Sequence, residues 1–176
     1  LGAASASLAQ QQSSIQNSPH NLSASGPGSI RASTEEQICI FCHTPHNASP
    51  ITPLWNRNVP VNAYTPYSSN SLDAKPGQPT GSSKLCLSCH DGTIALGSVL
   101  SRSQQIQMVG GMTTLPPGHK ANLGTDLSDD HPISFRFDDA LAAKDVKLKS
   151  PHNLPPGVKL DRNSELQCTS CHDAHN

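Results

Sequence analysis

The sequence predicts mostly irregular coil with a few short helices and little or no sheet, and three observations predict it. A five-residue pattern, Cys-x-x-Cys-His, occurs at Cys39-Ile40-Phe41-Cys42-His43, Cys86-Leu87-Ser88-Cys89-His90 and Cys168-Thr169-Ser170-Cys171-His172, and uses all six cysteines. Leu, Ile, Val and Phe together make up about 19 per cent of the chain, just under the level at which disorder becomes the default expectation. Fifteen prolines break regular structure, and aromatic residues reach only 3 per cent, so there is little to pack.

The repeated pattern is the attachment motif of c-type haem. Two thiols three residues apart lie on one side of a helical turn, where they can form thioethers with the two vinyl groups of a single haem. The adjacent histidine then meets the iron as its proximal ligand. Paired Cys-x-x-Cys knuckles also build zinc centres, but six thiolates fill one four-thiolate site and leave a pair over. A disulfide framework leaves the three following histidines unexplained. At this composition a histidine after all three units would arise by chance roughly once in 10,000 chains. Cys39, Cys42, Cys86, Cys89, Cys168 and Cys171 are therefore the expected attachment residues, and His43, His90 and His172 the proximal ligands. Three covalently bound haems supply the apolar volume that the side chains lack, and the polypeptide wraps around them.

Charge and hydropathy narrow the class further. Net charge is -1 and charged residues are 14 per cent, below the roughly 25 per cent of ordinary soluble domains. No basic patch is present, which argues against a nucleic-acid partner. Weak surface charge also permits self-association. No segment approaches 18 apolar residues, so no membrane-spanning helix is expected. The amino end, Leu1 to Gln12, is rich in Ala, Ser and Gln, and reads as a mature terminus left after a secretory signal was removed. Covalent haem attachment in bacteria and archaea takes place outside the cytoplasmic membrane. The expected location is therefore secreted, extracellular or at the cell surface, with the periplasm as the alternative.

Internal repetition organises the chain. Ser18-Pro19-His20-Asn21-Leu22 precedes the first motif and Ser150-Pro151-His152-Asn153-Leu154 precedes the third. Past the motifs, Cys42-His43-Thr44-Pro45-His46-Asn47 aligns with Cys171-His172-Asp173-Ala174-His175-Asn176. The expectation is one unit over residues 1–176, with terminal haem-binding repeats at about 18–47 and 150–176. The central motif lacks both flanking elements.

Local signals place the motifs on short helices. Ser33-Thr34-Glu35-Glu36 and Ser164-Glu165-Leu166-Gln167 read as capping boxes ahead of the first and third cysteine pairs. Gly92 suits a left-handed helix end after the central motif. Ile94 to Leu100 predicts one more short helix, and Asp138 to Lys144 another with acidic residues at its positive end. Pro and Gly in Pro50 to Pro66, Pro76 to Gly81 and Leu115 to Gly118 predict irregular backbone.

Six histidines remain for the opposite faces of three irons: His20, His46, His119, His131, His152 and His175. An iron with two histidines suits electron transfer, whereas an open iron suits catalysis. His46 and His175 lie too close in sequence to their proximal histidines to reach across their own haems, but each can reach an adjacent one. His131 is restrained by the following proline and is the best-placed candidate after the central motif. His20 is a further candidate. His119, in a Pro-Pro-Gly loop, and His152, before Pro155-Pro156, read as solvated histidines. Met108 and Met112 read as core filling rather than as axial ligands.

With these residues in view, a resemblance emerges. Ile38 to Ala48 with Pro53-Leu54-Trp55-Asn56-Arg57, Leu85 to Thr93, Asp126 to Phe135 and Cys168 to Asp173 resemble a family of secreted multihaem c-type cytochromes. That family carries doubled CxxCH-type motifs and is frequent in metal-reducing and sediment bacteria. The resemblance spans roughly residues 18 to 176. It is similar to outer-surface cytochromes that polymerise into filaments, or nanowires, with a continuous haem chain. Those relatives commonly hold four or more haems, so a three-haem chain departs from the pattern, and haem order and ligand pairing stay open. The resemblance implies closely packed bis-histidine haems, with His20, His46, His131 and His175 matching recurrent positions. It also implies that one distal histidine is shared between subunits, and His20 is the candidate.

The expected function is electron transfer rather than enzymatic catalysis, as the subunit of an extracellular filament passing electrons to external acceptors and redox protein partners. A monomeric periplasmic shuttle is the alternative, although shuttles usually carry a charged docking face. A multihaem reductase would need an open iron, against which the histidine surplus argues. Asn21-Leu22-Ser23 and Asn47-Ala48-Ser49 match the glycosylation acceptor pattern, a short motif of high chance rate.

Overall fold

A computed structural model describes residues 14–50, 52–145 and 147–176. The amino-terminal stretch read as a mature end, Leu1 to Gln12, lies outside the described residues. Coil and turns dominate, as the proline and glycine content dictates. Among the described residues two α-helices are present, α1 at Gly81–His90 and α2 at Asp139–Lys144. The strands β1, Phe135–Arg136, and β2, Glu165–Leu166, form an antiparallel pair with Phe135 opposite Leu166 and Arg136 opposite Glu165. Among the described residues no helix is long and apolar enough to cross a membrane.

The central motif occupies the second half of α1. That helix ends where the sequence says it should: Gly92 has φ 69°, and its N–H reaches back to the Cys89 carbonyl at 3.2 Å. In α2, Asp138 stands before the first turn, and its carboxylate accepts the Leu141 N–H at 3.0 Å.

The terminal motifs adopt tighter 3₁₀ turns instead, Cys39–Phe41 and Cys168–Ser170. Neither is opened by the expected capping box. Glu35 spends its carboxylate on the Gln37 N–H, and Ile38 opens the first turn with no side-chain cap. Ser164 sits at φ 58°, because Glu165 and Leu166 are drawn into the pair with β1; Gln167 and Ser170 cap the third turn. Ile94 to Leu100 is likewise not helical. Its backbone is committed elsewhere: Leu96 N–H donates to Thr113 and Leu100 N–H to Asn56, while the Ala95 and Leu96 carbonyls accept from the Arg57 guanidinium.

The repeats seen in sequence recur as local geometry. Ser18 Oγ accepts the His20 N–H at 3.2 Å and Ser150 Oγ accepts the His152 N–H at 3.3 Å. Downstream, Thr44 Oγ1 accepts the His46 N–H at 3.3 Å, and Asp173 Oδ1 accepts the His175 N–H at 2.9 Å. Each is a side-chain turn that substitutes for a backbone turn.

The main core holds Ala32, Ile40, Phe41, Leu96, Met108 and Leu115, with Cys42, Cys89 and Met112 packed against it. The two motifs contribute to the same small core that the methionines fill. A second cluster joins Tyr64, Leu87 and Leu127.

Candidate haem-binding site

All six cysteines are free thiols, and four of them meet in pairs across motifs. Burial, then the neighbouring Cys89, pushes the Cys42 thiol up to about 11. Cys86 shares a hydrogen bond with Cys168; that bond, then burial, raises the Cys86 thiol above its ordinary value, while the same bond lowers Cys168. The central motif therefore touches both terminal ones. Among the described residues no three His, Cys, Asp or Glu side chains gather as a metal-ion site.

The histidines are brought together in a way the sequence did not resolve. His20 and His90 have ring centroids 6.0 Å apart at an interplanar angle of 68°. His43 and His175 lie 6.2 Å apart with rings within 12° of parallel. Rings packed offset or edge to face have centroids about 4.5 to 7 Å apart. Two imidazoles bound to opposite sides of one metal, each at a bond length of about 2 Å, have centroids roughly 6 Å apart. Both pairs have that separation. Burial, then the charges that His90 and His175 can carry, hold the His20 imidazole below its usual pKa, and so in the neutral form that a ligand must have.

Hydrogen bonds to the other ring nitrogen sort the histidines further. His90 Nδ1 lies 2.7 Å from the Ala121 carbonyl, which can only accept, so the proton sits on Nδ1 and the Nε2 lone pair is free. His175 Nδ1 lies within ion-pair distance of Asp173 Oδ1, 3.4 Å, with both side chains exposed. His131 Nδ1 lies 3.4 Å from the Pro132 carbonyl, and the charge of this exposed ring is felt at Cys168 of the third motif. The two histidines read as solvated differ. His119 Nδ1 accepts the Ala121 N–H at 3.2 Å, which puts the proton of the neutral ring on Nε2. His152 directs Nε2 to Asp139 at 3.3 Å, and the pair is well exposed. His46 is exposed, and its loop is held through backbone rather than ring. His20 and His90 lie beside each other within one chain.

A cavity of about 780 Å³ opens beside the first motif, lined by Ile38, Cys39, His43, Leu54, Ser101 and Arg102. Its volume is in the range of cofactor sites. Leu54 is 55 per cent exposed and presents an apolar wall to it. Trp55 stands edge-on to His43 at 5.9 Å, with its indole Nε1 buried and lacking an acceptor. At the first motif the free thiols, the apolar-walled cavity, the orphan donor and the nearby imidazoles are compatible with a haem.

Two residues that positional reasoning passed over hold this arrangement in place. Asn56, fully buried, donates its side-chain amide to the Ile40 carbonyl at 2.6 Å and its backbone N–H to the Cys42 carbonyl at 2.9 Å. Gln167, 1 per cent exposed, ties α1 to the third motif: its Oε1 accepts from Ser83 at 2.6 Å and Ser134 at 3.0 Å, and Nε2 donates to Thr80, Asp161 and Glu165. Short polar residues in a proline-rich sequence carry no periodic signal that would reveal such roles. Asn21 is also fully buried, its amide donating to Gln16 and its oxygen accepting from Ser23, so it does not suit glycosylation.

No protein-family model matches the sequence, and no curated protein matches it either.

Proposed function

We propose that this chain is an electron-transfer protein carrying three covalently attached c-type haems, held by Cys39 and Cys42, Cys86 and Cys89, and Cys168 and Cys171. A haem iron with two histidines supplies a reversible one-electron couple and leaves no position for substrate. His43 and His175 serve the first motif and His90 and His20 the second. For the third, His172 is proximal, and His131, the candidate whose charge reaches Cys168, is the in-chain partner. The observation that carries this reading is the pair of imidazole couples at 6.0 and 6.2 Å, a spacing that suits one metal each.

The protein's own work is positional. Ala121 fixes which nitrogen of His90 bears the proton, and Asp173 holds the His175 backbone N–H. Asn56 clamps the first motif, and Ser83 with Gln167 docks the third onto α1. Because the central motif touches both neighbours, the three sites form a continuous series. Alkaline pyridine spectra and mass of the purified protein should give three haems per chain, and the reduced protein should bind no carbon monoxide without denaturation. Fewer than three haems, or a full equivalent of carbon monoxide, would sink the reading.

The assembly that fits best is an extracellular filament, as the resemblance implies. His46 and His172 both lie exposed on the surface. A His46 ring from one copy can reach an exposed iron of the next, in place of His131, and the low net charge does not oppose stacking. Negative-stain microscopy of the secreted protein should show filaments that His46→Ala abolishes while three haems per chain are retained. Uniform monomers from the unaltered protein would favour the periplasmic shuttle instead.

A further inference from the structure

Arg57 is the largest fully buried side chain among the described residues, with none of its surface exposed. Its guanidinium donates to three backbone carbonyls: Leu96 at 2.7 Å, Ala95 at 2.9 Å and Ser88 at 3.2 Å. Nε is buried with no acceptor. No carboxylate among the described residues forms an ion pair with it. A buried cation without a counter-charge is costly, and a guanidinium cannot escape the cost by losing its proton. Where three neutral carbonyls are all that is bonded, a neutral amide would meet most of the need at a lower desolvation cost.

Its location gives the charge a use. Ser88 lies inside the central motif, between Cys86 and Cys89. The neighbouring Asn56 is bonded to Ile40 and Cys42 of the first motif. Arg57 thus sits where the first two motifs meet, and its charge is felt at both Cys42 and Cys89. The third motif docks on the opposite side, through Ser83 and Gln167 at the start of α1.

We propose that Arg57 is a built-in electrostatic bias that raises the reduction potentials of the haems at the first two motifs relative to the third. This rests on the three-haem reading above. When a haem iron loses one electron to a redox partner, its site gains one positive charge, and no bond changes. A fixed cation in a dry surrounding opposes that gain, so it favours the reduced form. The series of sites is then sloped, with electrons favoured at the first and second motifs.

The test is a spectroelectrochemical titration of the intact three-haem protein beside Arg57→Gln and Arg57→Lys, with haem count measured on each. Arg57→Gln should shift the oxidation equilibrium of the two higher-potential haems about tenfold toward the oxidised form, a fall of 59 mV for a one-electron couple. The lowest-potential haem should barely move, and Arg57→Lys should restore most of the difference. Ala95→Asp, which brings a carboxylate to the guanidinium from a half-buried position, should lower the same two potentials and serves if the Gln variant does not fold. Three haems with unchanged potentials in a folded Gln or Asp variant would overturn the bias while leaving the three-haem reading intact. A uniform fall at all three haems would also overturn it, and an unaltered protein without haem would remove the premise.

Discussion

Replacing His175 with alanine is expected to open one iron and only one. The unaltered protein, with every iron closed, should take up no carbon monoxide when reduced; His175→Ala should take up one equivalent per chain and show one high-spin haem. The expectation follows from the His43–His175 separation of 6.2 Å. His20→Ala should open a different iron, at the central motif, because His20 pairs with His90. The two changes should add to two equivalents, since they act on separate irons. Absence of carbon monoxide binding in either single variant would break the corresponding pairing. His119→Ala should leave the spectrum unaltered, because the neutral ring carries its proton on Nε2.

The second large effect is on stability. Gln167→Leu should destabilise the folded protein by about 3 kcal/mol, since it leaves the buried Ser83 hydroxyl and the Ser134 hydroxyl without their acceptor. For a chain of this size that corresponds to a fall in Tm of about 6 to 12 °C, measured by circular dichroism on the loaded protein. The variant should keep all three haems, because no attachment residue is touched. A fall below about 2 °C would mean that the hydroxyls find other partners and that Gln167 is not the joint between α1 and the third motif.

What the sequence allowed to be read divides along a physical line. The turns of the terminal repeats, α2 and the Gly92 helix end were legible because their signals are local: a repeated side-chain turn, a side-chain cap, a left-handed glycine. The expected helix over Ile94 to Leu100 and the two capping boxes failed for the opposite reason. Their backbone groups are claimed by residues distant in sequence, Arg57 and Asn56 in one case and Phe135 in another. Propensity does not register such competition. The surplus of histidines was countable, but the tautomers that separate His90 from His119 depend on which carbonyl or amide faces Nδ1. Arg57 was visible within a recognised string, yet nothing in an isolated arginine says that it will be buried without a counter-charge.

The thiol of Cys86 against that of Cys168 has a further consequence, for maturation rather than function. On the three-haem reading Cys86 and Cys168 belong to different attachment sites, and a disulfide between them would remove one attachment point from each. On that reading reduction of the cysteines and their joining to the porphyrin vinyl groups are expected to come before α1 docks onto the third motif, so that the closed protein is the end of assembly.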